Sequence, residues 1–286
     1  MAEAGRRRDF ITRTGSKLAA DLRGREGDPP VLLLHGGGQT RHSWAGAAEA
    51  LSSAFLTIAL DLRGHGDSDW AADGRYDLAV MTEDVQDVIG ALDRPPALVG
   101  ASLGGLVSLD VASRPDRLVS SIVVVDVAPR IEAEGASEIT AFMTATAGGF
   151  DTVEAAADAV AAYLPHRPRP DDSSGLLKNL RLRDGRYHWH WDPRMVNRKD
   201  PPNAALRHKR LSAKARAVKV PTLIVRGGRS RIVSEAGAAE LVGFIPHAEF
   251  VTIDGAHHMV AGDANDAFNA PVLDFLRRTV PEPAHR

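Results

Sequence analysis

The sequence predicts an α/β fold: a doubly wound, mostly parallel sheet with an N-terminal antiparallel hairpin and a mostly helical insert. Short runs of Val, Ile and Leu recur between turn residues, at 31–34, 55–60, 97–99, 118–125, 220–225 and 250–253. Most are continuously apolar rather than alternating, as strands buried on both faces of a parallel sheet are. Helical patterns fall between them, at 45–52, 77–92, 103–112, 234–242 and 265–278. Strand alternating with helix points to right-handed crossovers on both sides of one sheet.

The elements follow in order. Residues 10–14 and 17–22 flank Gly15 and Ser16 and read as a hairpin on the sheet's edge. The core comprises 9–129 and 220–280. Between them, 130–219 shows no convincing buried strand: 152–163 is Ala-rich and helical, and 165–170 is rich in Pro and Arg. That stretch is too long for a plain loop and reads as a mostly helical insert. The ends, 1–8 and 281–286, read as loose.

Bulk composition narrows the function classes. The 286 residues are 44% hydrophobic and 25% charged, with a net charge of −2. No basic field points to nucleic acid or an anionic membrane. The absence of cysteine excludes disulfides, a Cys nucleophile and thiolate metal sites. The polar start with Arg6, Arg7 and Arg8 lacks the apolar stretch of a signal peptide, and no run is long enough to span a bilayer. A cytoplasmic protein acting on a small molecule is therefore expected, without nucleic acid or membrane as partner. A homodimer is left open.

The chemistry centres on Gly100-Ala101-Ser102-Leu103-Gly104. A strand precedes it and a helix follows, so Ser102 sits on a sharp turn that lifts its hydroxyl clear of the sheet. Only small residues fit beside such a turn. The helix N-terminus adds free N–H groups next to the reacting oxygen. Upstream, His35-Gly36-Gly37-Gly38 follows the strand at 31–34. A tetrahedral oxyanion needs two preorganised donors, and the N–H groups of Gly37 and Leu103 are the candidates. Gly36 and Gly38 would border the same pocket. His35 reads as a brace for this loop. A serine also needs a base, and His257-His258 follow the last strand, in the chain order Ser then His.

Four segments carry a resemblance: Leu32-Leu33-Leu34-His35-Gly36-Gly37-Gly38, Asp61-Leu62-Arg63-Gly64-His65-Gly66-Asp67-Ser68, Val99-Gly100-Ala101-Ser102-Leu103-Gly104-Gly105, and Gly255-Ala256-His257-His258-Met259. The sequence resembles the α/β-hydrolase superfamily, in its bacterial esterase, non-haem peroxidase and epoxide-hydrolase-like branch. The resemblance implies that 130–219 is a cap over the active site and that His258, not His257, is the catalytic base. It departs from the Asp-nucleophile members at Ser102. It departs again where relatives place the triad acid, since Arg231 stands there and an Arg would oppose an imidazolium. Other relatives draw the acid from the end of the preceding core strand, which implies Asp126, with Glu235 as the weaker substitute.

Asp61 to Ser68 invites a metal reading, but its charges fit better as braces for turns. His188, Trp189, His190 and Trp191 alternate, so the histidines would share one face and the tryptophans the other. Trp189 and Trp191 are expected as a cap wall lining the pocket, with Trp44 beside the oxyanion loop. No metal or cofactor is expected. The implied activity is a serine hydrolase for a small ester, lactone or related carbonyl compound, working through an acyl-enzyme. Carbon–carbon bond hydrolysis or cofactor-free perhydrolysis could use the same triad. In another class, Arg231 at the acid position would suit a weakly catalytic ligand-binding protein.

Overall fold

The computed structural model describes residues 5–167, 169–196, 203–263 and 265–281. The chain opens with β1 (Arg6–Ile11) and β2 (Lys17–Arg23), then β3 (Pro30–Leu34), α1 (Ala45–Leu51), β4 (Leu56–Leu60), α2 (Leu78–Gly90), β5 (Ala97–Ala101), α3 (Leu103–Ala112) and β6 (Ser121–Val125). A second stretch holds α4 (Ala133–Ala145), α5 (Val153–Tyr163), the hairpin β7 (Leu180–Arg183) and β8 (Arg186–Trp189), and α6 (Ala204–Ala217). The chain then returns to the sheet through β9 (Thr222–Gly227), α7 (Glu235–Phe244), β10 (Glu249–Ile253), α8 (Val260–Asp263) and α9 (Asn265–Thr279).

Eight strands form one sheet in the order β1-β2-β4-β3-β5-β6-β9-β10. From β4 onward every pairing is parallel, while β1–β2 and β2–β4 are antiparallel. The expected hairpin is therefore present at the edge, but it begins earlier than predicted. Arg6 to Arg8 are not loose: they pair with Leu22 to Ala20. Their exposed, cationic side chains read as a solvated tail, whereas the backbone finds a full set of partners on β2. Residues 282–286 of the predicted C-terminal tail lie outside the described residues.

Both faces of the sheet are buried, which explains the continuously apolar strands. Leu32, Leu34, Ile58, Leu98, Ile122, Val124 and Ile224 face α2, α3, α6 and α7. Their neighbours Val31, Leu33, Val99, Val123, Val125, Leu223 and Val225 face α1 and α9, against Leu51, Phe268 and Phe275. Capping residues set the helix starts. Asp77, Thr152 and Ser234 each accept a backbone N–H from the first turn of α2, α5 and α7.

Within 130–219 the described helices are joined by the short hairpin β7–β8, in which Leu180 pairs with Trp189. This region builds a small apolar cluster of its own around Phe150, Ala156, Leu180, Trp189 and Trp191. Its last helix, α6, instead packs on α3 and α7, with Ala215 in the main core.

The turn after β4 is the anchor for everything above the sheet. Buried Asp61 accepts the Arg41 backbone N–H at 2.6 Å and the Asp67 N–H at 2.9 Å, and pairs with the Arg41 guanidinium. Gly66, at φ +56°, passes so close to the Asp61 carboxylate that any Cβ there would overlap it. Arg63 makes a two-pronged pair with Asp84 on α2, both bonds 2.6 Å. The charges in this segment therefore brace turns, as the sequence suggested.

Removing one partner of a buried ion pair strands the other charge, which costs about 3–5 kcal/mol. Asp84→Ala should therefore lower the unfolding free energy at neutral pH by an amount of that order, read as a lower urea midpoint. An unchanged midpoint would contradict the role given to this pair.

Candidate active site

The first component is the turn from β5 into α3. Ser102 adopts φ 47°, ψ −110°, a strained backbone for a non-glycine residue, costing on the order of 1–3 kcal/mol. The surroundings over-determine it. Its N–H donates to the Val125 carbonyl at the end of β6 (3.0 Å), and Gly104 N–H donates to the His35 carbonyl beyond β3 (3.1 Å). A Cβ at Gly100 would overlap the Gly104 carbonyl, and one at Gly104 would overlap the Leu34 carbonyl. Glycine at both positions is thus a packing requirement. Leu103 opens α3, so its N–H has no acceptor inside the helix.

The second component is the loop Gly36-Gly37-Gly38, which faces that turn. A Cβ at Gly36 would sit 3.5 Å from the Ser102 Cβ, and one at Gly37 would sit 4.0 Å from a Leu103 methyl. Gly37 N–H makes no hydrogen bond among the described residues. The loop is held by three buried imidazoles. His35 Nδ1–H donates to the Gly36 carbonyl (2.8 Å), while its Nε2 accepts from Leu62 N–H (3.0 Å). His65 Nδ1–H donates to the Arg63 carbonyl (3.0 Å), and its Nε2 accepts from Gly38 N–H (3.1 Å). From the β7–β8 region, His190 Nδ1 accepts from Gly66 N–H (2.7 Å) and its Nε2–H donates to the Gly38 carbonyl (3.2 Å).

Each of these rings accepts one backbone N–H, so each must be neutral, with the tautomer set by its partners. Burial agrees. It pulls His35 down to about 4, while His65 falls to about 3 through burial and the neighbouring His35. His190 lies well below its ordinary value, mainly through burial.

The third component crosses the end of the sheet. Asp126 follows β6 with φ 49° and is buried. Its Oδ2 accepts the His258 Nδ1–H at 2.7 Å, and its Oδ1 accepts the Gly227 N–H at 3.0 Å. Ser230 also donates to Oδ2. The structure thus brings Asp126 and His258 together. The neighbouring His257 turns aside and stacks on His166, ring centroids 3.7 Å apart. Arg231 points away from the site and pairs with Glu134 (3.2 Å) and Glu138 (2.9 Å) on α4. Glu235 is exposed in the first turn of α7, and Asp254 is exposed after β10.

Sequence reading missed Ser230. The available signal was a serine two and three residues before Ile232 and Val233, whose N–H groups both bond its hydroxyl. That local loop motif is easy to pass over among the charged residues around it.

Above the loop, Met143 of α4 and Trp191 lie against Gly38, where a Cβ would come within 3.4 and 3.7 Å of them. Trp189 stacks behind Trp191 (5.0 Å between ring centroids), edge-on to Phe150, and donates Nε1–H to Thr146. It belongs to the interior of that layer, one ring back. Trp44 is a correction. It is buried in the core and packs against Phe268 at 6.0 Å, not beside the pocket. The 3-10 turn Arg41–Trp44 leads straight into α1 and rotates the indole inward under α9. His190 spends both ring nitrogens on backbone groups of Gly66 and Gly38, and no group of three or more candidate metal ligands occurs among the described residues.

Comparison with known proteins agrees with this fold. The α/β-hydrolase fold family model matches residues 29–264. The chain is 32% identical to esterase Rv0045c of Mycobacterium tuberculosis over 249 residues, 82% of this chain and 78% of the relative. It is 30% identical to the 2-(acetamidomethylene)succinate hydrolase of Mesorhizobium japonicum over 245 residues, 85% of this chain and 86% of the relative. A crystal structure of E-2-(acetamidomethylene)succinate hydrolase superposes with a TM-score of 0.85 at 26% identity, covering 96% of this chain and 99% of that one. The chain belongs to the α/β-hydrolase family, and it is an enzyme with hydrolase activity. No helix among the described residues is long and apolar enough to cross a membrane.

The neutral imidazoles make a pH prediction. An unfolded histidine binds a proton below about pH 6.5. Folded His35 and His65 hold off protonation until about 4 and about 3. As pH falls below 6.5 the unfolded state alone takes up these protons, so stability is lost, at about 1.4 kcal/mol per pH unit for each histidine. Urea unfolding should show the midpoint dropping between about pH 7 and about pH 5. A flat profile over that range would contradict the neutral brace.

Proposed function

We propose that this hydrolase cleaves a small carboxylic ester, lactone or related carbonyl substrate through an acyl-enzyme on Ser102. The observation that carries the reading is the Asp126–His258 hydrogen bond at 2.7 Å, made by the residue directly after β6, the strand whose last carbonyl accepts the Ser102 N–H. With Nδ1–H given to Asp126, His258 keeps Nε2 free to accept a proton. A serine hydroxyl is a weak nucleophile and needs such a base.

His258 takes the Ser102 proton as the oxygen attacks the substrate carbonyl. The N–H groups of Gly37 and Leu103 receive the oxyanion, where preorganised donors contribute most. His258 then protonates the leaving group. In the second half, the same imidazole activates water to release the acid. Asp126 orients the ring and stabilises its charged form. Met143 and Trp191, lying against Gly38, supply an apolar wall for the part of the substrate beyond the carbonyl. Residues 130–196 serve as the lid, while α6 belongs to the core on which it packs. The relatives named as an esterase and a succinate-derivative hydrolase fit a carbonyl substrate. The reading needs no cofactor.

Short-chain p-nitrophenyl esters test it. Ser102→Ala should lower kcat/KM by roughly a thousandfold or more, since a nucleophile acting as part of a unit carries most of the unit's effect. Asp126→Asn should also lower it severely, and Glu235→Gln should match wild type. Ser102→Ala turning over at the wild-type rate would sink the proposal.

A further inference from the structure

We infer that Ser230 is a positioning residue for the reaction: its hydroxyl holds the Asp126 carboxylate in line with His258. The inference rests on the Ser102–His258–Asp126 reading above. It concerns a residue beside the place where family members usually keep an acid, and where this chain has Arg231 instead.

The direction of the hydrogen bond follows from counting. A serine hydroxyl has one proton and two lone pairs. Ser230 Oγ accepts the N–H of Ile232 and the N–H of Val233, both at 3.1 Å. Its lone pairs are therefore used, and its proton goes to Asp126 Oδ2. That oxygen receives two donors, Ser230 O–H and His258 Nδ1–H, while Oδ1 receives the Gly227 N–H. The three fix the plane of the carboxylate, whose terminal torsion is otherwise broad and soft.

The loop that carries Ser230 is itself tied down. Gly228 N–H donates to the Ile253 carbonyl (2.9 Å) and Arg229 N–H to the Ala256 carbonyl (2.8 Å). Those carbonyls lie at the end of β10 and just ahead of His258 in the chain. On the other side Glu132 N–H donates to the Ile232 carbonyl (2.9 Å). The hydroxyl is thus referenced to the same frame as the histidine. Arg231, the next residue, turns instead to Glu134 and Glu138 on α4, in solvent-exposed pairs that contribute little.

Ester hydrolysis by Ser230→Ala, Ser230→Thr, Arg231→Ala and Asp126→Asn separates the roles. Ser230→Ala should lower kcat roughly tenfold or more, the scale of one lost hydrogen bond to a charged group, with KM within about twofold because the Ser230 hydroxyl is spent on Asp126 and its own loop. Ser230→Thr keeps the hydroxyl and should restore kcat. Arg231→Ala should stay near wild type. Circular dichroism at the assay temperature checks that Ser230→Ala is folded; if it is not, Ser230→Cys, with its weaker thiol donor, replaces it and should fall between Thr and Asp126→Asn. Wild-type kcat in the hydroxyl-less variant alongside a crippled Asp126→Asn would overturn this inference and leave the triad standing. Wild-type rates in both would overturn the triad reading and this inference together.

Discussion

The close approach of α3 to the end of β3 is the constraint on which the rest depends. Gly104 enters against the Leu34 carbonyl with no room for a side chain, and its N–H bonds the His35 carbonyl. That contact brings the start of α3 up to the loop at Gly36 to Gly38. It holds Ser102 in its positive-φ turn and brings the start of α3, where the Leu103 N–H has no acceptor inside the helix, close to Gly37. A wider approach would relax the serine turn and move the start of α3 away from the glycine loop. The strain is sustained by parallel strands on both sides, since Ser102 is also bonded to the end of β6.

Around that contact, polar groups are buried in matched sets. His35, His65 and His190 replace water for the backbone of the Gly36 to Gly38 loop, and each does so as a neutral ring. Burial of the neutral form costs far less than burial of the charged one, which is why all three resist protonation. His190 comes from the β7–β8 region, so the glycine loop is gripped by the core on one side and by the covering layer on the other. Asp192, next but one, bonds Tyr76 (2.5 Å) and the Gly64 carbonyl (3.0 Å), fastening that layer to the anchor turn after β4. The glycine loop is thereby held from both sides, which is the kind of preorganisation the proposed oxyanion donors would need.

Much of the architecture was legible in the sequence, because the signals were local or periodic. The Val-, Ile- and Leu-dense strands reported burial on both faces, and the glycines flanking Ser102 reported a turn too tight for a Cβ. Asp126 and His258 could be singled out by order and by the Arg at position 231, but their contact spans 132 residues of chain and only folding reveals it. What stayed hidden was tertiary. Trp44 looked like a pocket residue because it follows the glycine loop, yet one 3-10 turn rotates it into the core. Arg6 to Arg8 looked like a tail because their side chains are solvated, while their backbone completes the sheet. Ser230 carried no motif that names its partner.

The central claim is that Ser102 is the residue that attacks the substrate, activated by His258. The most direct measurement is to treat the protein with a fluorophosphonate and locate the adduct by peptide mass spectrometry, with His258→Ala alongside. The account predicts a single stoichiometric adduct on Ser102 that His258→Ala slows drastically. Labelling of another residue, or labelling of Ser102 at an unchanged rate without His258, would contradict it.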